Sequence, residues 1–224
     1  MIRKLTNNVK GLSCKNFFSK WRYFKSIWKQ YIFKNRRSYN FKYLSEEEIA
    51  KANRYKIEDD KKRSLLSSYL LKYVLKDNNV NNYNIIVNEF GKPYLEGNKF
   101  YFNISHSHDF VVCAISNKEV GIDIEKVRPV NELVLNKCFT DEERDFVKNE
   151  QDFIKVWTLK ESYIKHIGTG LKTKLNSFSV ISNQSLNRLN DLMFTSLKVE
   201  DYQMSICHHP FKHFQLNYLT HPIK

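Results

Sequence analysis

The chain has 224 residues, 42% hydrophobic and 14% aromatic, with only 6 Gly and 4 Pro. That excludes a disordered chain and long flexible linkers, and it provides apolar material for a sizeable core. A net charge of +13 points to an acidic or phosphorylated partner. The cysteines, Cys14, Cys113, Cys138 and Cys207, form no C-x-x-C pair, which argues against zinc and against a disulfide framework, and for a reducing, cytoplasmic setting. No apolar run approaches the roughly 20 residues of a membrane span, and no signal-peptide core is present.

Residues 1–42 are basic and aromatic, and no acidic residue precedes Glu46. Phe17, Trp21, Phe24, Trp28 and Ile32 recur at helical spacing, so a helix packed on the main body is expected. A basic helix on a membrane surface, or an organelle-targeting presequence, is the alternative. Ser45 with Glu48 reads as a capping box that opens a helix over 46–56. A second helix is expected over 59–76, with Leu66, Tyr69, Leu70, Tyr73 and Val74 on its apolar face. Arg63 lies near its start. Strands follow over 83–88, 100–105, 111–116 and 120–125. A turn at 89–94 holds Lys92 between Gly91 and Pro93. Ser105-His106-Ser107-His108 is expected at a strand end and the loop after it.

The segment 120–125 alternates. Val120, Ile122 and Ile124 point to one side, and Gly121, Asp123 and Glu125 to the other. Two carboxylates so close repel unless a cation or a proton relieves them. A hard metal ion such as magnesium, with oxygen ligands and phosphate on its remaining positions, fits that pair, and Glu161 would be a third ligand. Helices are then expected over 131–137, over 140–149 behind a Thr140–Glu143 capping box, and over 152–166. The last carries Glu161 and Lys165 and stops at Gly168-Thr169-Gly170. Strands are expected at 177–181, 193–199, 203–207 and 213–218, with His208 and His209 in a loop. The coarse echo of helices and strands on either side of residue 118 implies two α+β halves, 43–118 and 119–224, after the 1–42 segment.

Four segments in order resemble one family. They are Gly91-Lys92-Pro93, Phe102-Asn103-Ile104-Ser105-His106-Ser107, Val120-Gly121-Ile122-Asp123-Ile124-Glu125, and Trp157-Thr158-Leu159-Lys160-Glu161-Ser162-Tyr163-Ile164-Lys165 with Gly168 and Gly170. This order is similar to that of the 4′-phosphopantetheinyl transferases of the monomeric surfactin-synthetase type, over roughly residues 44–180. The resemblance implies a pseudo-two-fold α+β fold that binds coenzyme A and Mg²⁺ between its halves. It implies transfer of the phosphopantetheine arm of coenzyme A to a serine of an apo acyl or peptidyl carrier protein, with release of adenosine 3′,5′-bisphosphate. By motif position Asp123, Glu125 and Glu161 would hold Mg²⁺. Glu161 would be the base and Lys165 would offset phosphate charge or protonate the leaving group. Arg63, Lys92, Ser105, His106 and Lys165 would contact coenzyme A, with Lys51 a weaker match. An acidic carrier is expected and nucleic acid is not. Two rivals remain: a basic membrane- or nucleic-acid-binding protein on a degenerate transferase scaffold, and a metal-dependent phosphoesterase. The family usually opens with a strand just before the Leu-Ser-x-Glu-Glu helix, and the sequence does not place that strand.

Overall fold

The computed structural model describes residues 3–5, 27–34, 41, 43–97, 99–181, 188–210 and 213–219. The strands are β1 (Arg3–Leu5), β2 (Ile27–Lys34), β3 (Ile85–Val87), β4 (Pro93–Leu95), β5 (Tyr101–Ser107), β6 (Phe110–Ser116), β7 (Val120–Lys126), β8 (Arg188–Leu189), β9 (Leu192–Val199), β10 (Tyr202–His208) and β11 (His213–Leu219). The helices are α1 (Glu46–Ala52), α2 (Glu58–Asp77), α3 (Glu132–Cys138), α4 (Asp141–Phe146) and α5 (Glu150–Ile167). Both expected capping boxes form, at Ser45–Glu48 and at Thr140–Glu143. Helix α5 ends on Gly168 at φ 70°, a left-handed cap that suits glycine. Among the described residues no helix is long and apolar enough to cross a membrane.

One sheet has the order β1-β11-β2-β6-β5 and a second has β7-β10-β9-β8, while β3 and β4 form a two-stranded ribbon. The last strand, β11, returns to the first sheet and runs parallel to β2. Helix α2 covers the outer face of the first sheet, where Leu66, Leu70 and Val74 meet Tyr31, Phe33, Val111 and Cys113. The inner faces of the sheets meet through Ile32, Phe110 and Val112 against Val120, Ile122, Ile124, Met204 and Ile206. Helix α5 covers the second sheet with Phe153, Val156 and Leu159 against Phe194 and Cys207. The result is an α–β–β–α stack, the α+β arrangement of two halves that the sequence implies.

Four local expectations are corrected. The helical stripe ending at Trp28 and Ile32 is wrong over 27–34, which is strand; Phe17, Trp21 and Phe24 lie outside the described residues. Strand β2 lies between β11 and β6 and is buried on both faces, with Tyr31, Ile32 and Phe33 each 1% exposed. Its apolar residues therefore lack a period of two. The strand expected over 100–105 does not stop at Ser105: β5 runs on to Ser107 and turns at His108, φ 43°, so Ser105 and His106 lie within the last residues of the strand. The strand expected at 177–181 is absent: Leu175–Ser177 is a 3-10 turn and an irregular segment follows. His208 closes β10 and is buried, so it is no loop residue.

Candidate active site at the seam of the two sheets

Edge strands β5 and β7 belong to different sheets and share no ladder. Their contact is made by side chains instead. Asn103, Ser105 and Ser107 alternate along β5, so all three point the same way. Asn103 Oδ1 accepts from the Ile122 N–H at 2.9 Å, Ser105 Oγ from the Ile124 N–H at 3.4 Å, and Ser107 Oγ from the Lys126 N–H at 3.2 Å. These bonds satisfy edge N–H groups that would otherwise be buried unpaired. The two serines also donate across the seam, Ser105 Oγ to Asp123 Oδ1 at 2.8 Å and Ser107 Oγ to Glu125 Oε2 at 3.0 Å. The motifs by themselves assign no role to Asn103 or Ser107. Their period-two spacing around Ser105 is the signal that would have found them.

Helix α5 crosses β7 at close range, and Gly121 permits it. A Cβ at Gly121 would lie 2.0 Å from the Ser162 carbonyl oxygen and 2.4 Å from the His166 nitrogen. With that approach, Glu161 and Lys165 reach the acidic face of β7. Ile104, Ser105, His106, Asp123, Glu125, Trp157, Glu161 and Lys165 line one cleft of about 440 Å³, within the about 300–1,000 Å³ usual for small-ligand sites. Lys165 Nζ donates to Asp123 Oδ1 at 2.6 Å and to Ser105 Oγ at 2.9 Å. The helical neighbour Glu161 is not its ion-pair partner.

The three carboxyls line the same cleft and act on one another's charge. Burial, and then the Asp123 charge, push Glu125 above the ordinary carboxylate value; the Ser107 hydroxyl, Arg128 and Lys165 pull it back. Glu161 is raised by burial and by Asp123, eased by Lys165, and raised again by Glu125. Asp123 is 3% exposed, and its Oδ2 is buried without a hydrogen-bond partner. A buried, unpartnered carboxyl oxygen beside two further carboxyls whose pKa values are raised is a donor set that suits a hard cation. As placed, the set is not closed: among the described residues, no three His, Cys, Asp or Glu groups stand ready to hold an ion.

His106 lies at the rim, open to solvent on one side and packed against protein on the other. That partial desolvation, then the Lys165 and Arg63 cations, lower its pKa from 6.5. Arg63, on α2, pairs with Asp60 one turn earlier and is not among the lining residues. Lys92 is not among them either. Its ammonium bonds to Glu119 Oε2 and to the His166 carbonyl, both at 2.7 Å. Lys160, beside Glu161 in sequence, points away into a buried pair with Glu143.

Two family models match in tandem. The model of the 4′-phosphopantetheinyl transferase superfamily covers residues 119–214, and that of the 4′-phosphopantetheinyl transferase N-terminal region covers residues 30–118. The chain is 40% identical to the 4′-phosphopantetheinyl transferase gsp of Aneurinibacillus migulanus over 141 residues, 59% of each protein. It is 33% identical to the 4′-phosphopantetheinyl transferase Sfp of Bacillus subtilis over 152 residues, 63% of this chain and 68% of that protein. It is 31% identical to the 4′-phosphopantetheinyl transferase psf-1 of Bacillus pumilus over 183 residues, 74% of this chain and 78% of that protein. The aligned stretch thus falls short of two thirds of the first relative and exceeds it in the other two. With both halves matched and the motif acids gathered at the seam between the two sheets, the chain belongs to the 4′-phosphopantetheinyl transferase family.

Proposed function

We propose that this chain moves the 4′-phosphopantetheine arm of coenzyme A onto a serine hydroxyl of an apo carrier protein and releases adenosine 3′,5′-bisphosphate. The observation that supports this most is the convergence of Asp123, Glu125, Glu161 and Lys165 on one cleft. A pyrophosphate needs such a mixture of cation-holding acids and a fixed ammonium, because catalysis of phosphoryl-type transfer is mainly positioning and charge stabilisation. Asp123, Glu125 and Glu161 are the residues that would hold Mg²⁺, and that ion would neutralise charge on the pyrophosphate. The open spacing of the acids means that their side chains would have to move to take it up.

The remaining roles belong to the chain's own groups. Glu161 takes the proton of the carrier serine, directly or through water; its raised pKa suits a base that must also release that proton. Lys165 offsets negative charge on the phosphate that breaks away. Ser105, His106 and Arg63 contact coenzyme A, with Arg63 and His106 together offering cationic and hydrogen-bonding groups to its 3′-phosphate. Lys92 is left out of this set because it does not line the cleft and its ammonium is held by Glu119 and the His166 carbonyl. An acidic carrier and a monomeric enzyme in the cytoplasm complete the reading, in keeping with the +13 charge. Purified protein with Mg²⁺ and coenzyme A is expected to add a phosphopantetheine mass to at least one of a panel of apo carriers in intact-mass spectrometry. Absence of an adduct on every carrier would overturn it.

A further inference from the structure

The turn at 88–92 joins β3 to β4 in the first half, yet it grips the end of α5 in the second. The last carbonyls of a helix have no partner within it. Here the turn supplies two: Asn88 Nδ2 donates to the Gly168 carbonyl at 2.9 Å, and Lys92 Nζ to the His166 carbonyl at 2.7 Å. Lys92 also pairs with Glu119, the residue just before β7, so one ammonium ties the turn, the helix end and the start of the acidic strand. Its side chain is 6% exposed, and a cation that deep persists only with partners. Burial lowers its pKa and Glu119 opposes the shift. The charge also lies at the negative end of the α5 dipole.

The turn is built to hold this shape. Asn88 Oδ1 accepts from the backbone N–H of Phe90 at 3.0 Å and of Lys92 at 2.8 Å, and Gly91 takes φ +84°. The other side of the joint is fitted to it. A Cβ at Gly168 would come within 2.7 Å of Lys92 Cδ and 2.8 Å of Tyr94 Oη. Gly168 therefore serves two ends, the left-handed cap and the seat for the lysine stem.

We propose that Lys92 is a positioning residue: with Asn88 it latches the C-terminal end of α5 to the first half, and so fixes where Lys165 and Glu161 stand in the cleft. This rests on the transferase reading. Lys165 directly precedes the residue whose carbonyl is held, and Glu161 lies about one turn earlier. A loosened helix end would carry Lys165 away from Asp123 and Ser105, whereas the coenzyme contacts made from β5 and α2 would stay.

The test is Lys92→Met in the full chain, read in two ways. Amide hydrogen exchange over residues 164–170 should quicken about tenfold or more, while the first turn of α5 is unchanged. Steady-state transfer should show kcat about tenfold lower with KM for coenzyme A within about twofold. Unchanged exchange at the helix end, or a raised KM with kcat kept, would overturn the latch and make Lys92 a coenzyme contact. If Lys92→Met does not fold, Asn88→Ala removes one latch bond and is read by the same criteria. Should the wild-type protein label no carrier, the transferase reading falls, and the exchange result alone still decides the latch.

Discussion

Asp123 has two unlike oxygens. Its Oδ1 accepts from Lys165 and Ser105, while Oδ2 is buried without a hydrogen-bond partner beside two carboxyls whose pKa values are raised from 4.5. A carboxyl whose folded pKa lies above its unfolded one holds its proton more readily in the fold. Its ionisation therefore costs stability, and that cost appears as pH rises through the folded value. A divalent cation opposes the cost and competes with the protons. The rise in melting temperature on adding Mg²⁺ should thus be small near pH 4.5 and grow toward neutrality. It should reach about 5–10 °C when the ion exceeds its dissociation constant a hundredfold. Asp123→Asn should remove most of that rise and abolish carrier labelling; a melting temperature indifferent to Mg²⁺ at every pH would argue against the cation site. At the same scale, Lys160 and Glu143 are each fully buried, with Nζ 2.6 and 2.7 Å from the two carboxylate oxygens. Lys160 also donates to the Phe178 carbonyl, and Glu143 accepts from Val180 N–H and Thr140 N–H. Glu143→Ala would leave a buried unpaired ammonium, at a cost of about 3–5 kcal/mol, measurable by urea unfolding. Motif position assigns Glu161 to the cleft and leaves Lys160 without a role. Adjacent residues on a helix point about 100° apart, so with Glu161 lining the cleft Lys160 is turned into the interior toward Glu143.

The elements differ in how far their sequences declared them. Strand β7 was readable because one of its faces is apolar core and the other carries acids, so the period of two survives. Helices α1 and α4 were readable from their caps, and α5 from its length and its glycine stop. Strand β2 was not, since burial on both faces removes the alternation that marks a strand. The end of β5 lies two residues beyond the expected Ser105 for a related reason: Ser107 has the composition of a loop residue, but like Ser105 it is polar where it satisfies a neighbouring edge strand. Alternation alone makes Gly121 no more than a position on the acidic face. Its lack of a side chain is what lets α5 lie against β7, since a Cβ would come 2.0 Å from a backbone oxygen that cannot rotate aside. Gly121→Ala should therefore force α5 outward, costing about 1–3 kcal/mol or more, and should cut transfer more than any loss of folded protein explains. Comparing specific activity with the urea midpoint checks this. Full activity in a destabilised Gly121→Ala protein would show that the close crossing is not what sets the site.

At the scale of the molecule, the two sheets meet through an apolar inner face and, at one margin, through a polar seam where β5 and β7 exchange side-chain bonds. The cleft proposed as the site lies on that seam, so each half contributes groups that neither could align alone: Ser105 and His106 from one, Asp123, Glu125, Glu161 and Lys165 from the other. This juxtaposition was implied by the resemblance rather than by periodicity, which reads one element at a time and says nothing about which edges meet. Charge is a property of the same scale, and it was fully legible beforehand. A chain of net charge +13 attracts an acidic carrier over a distance set by the Debye length, about 10 Å at 0.1 M salt. Screening acts on encounter, not on groups already in contact within a partly buried cleft. Raising salt from about 0.05 to 0.5 M should therefore lower kcat/KM for the carrier about tenfold while kcat changes less than about twofold. Stopped-flow or steady-state labelling across a salt series with one acidic carrier measures both. A kcat that falls in step with kcat/KM would place the salt-sensitive charges inside the cleft, among Lys165, Asp123 and the phosphates, and not on the surface that the carrier approaches.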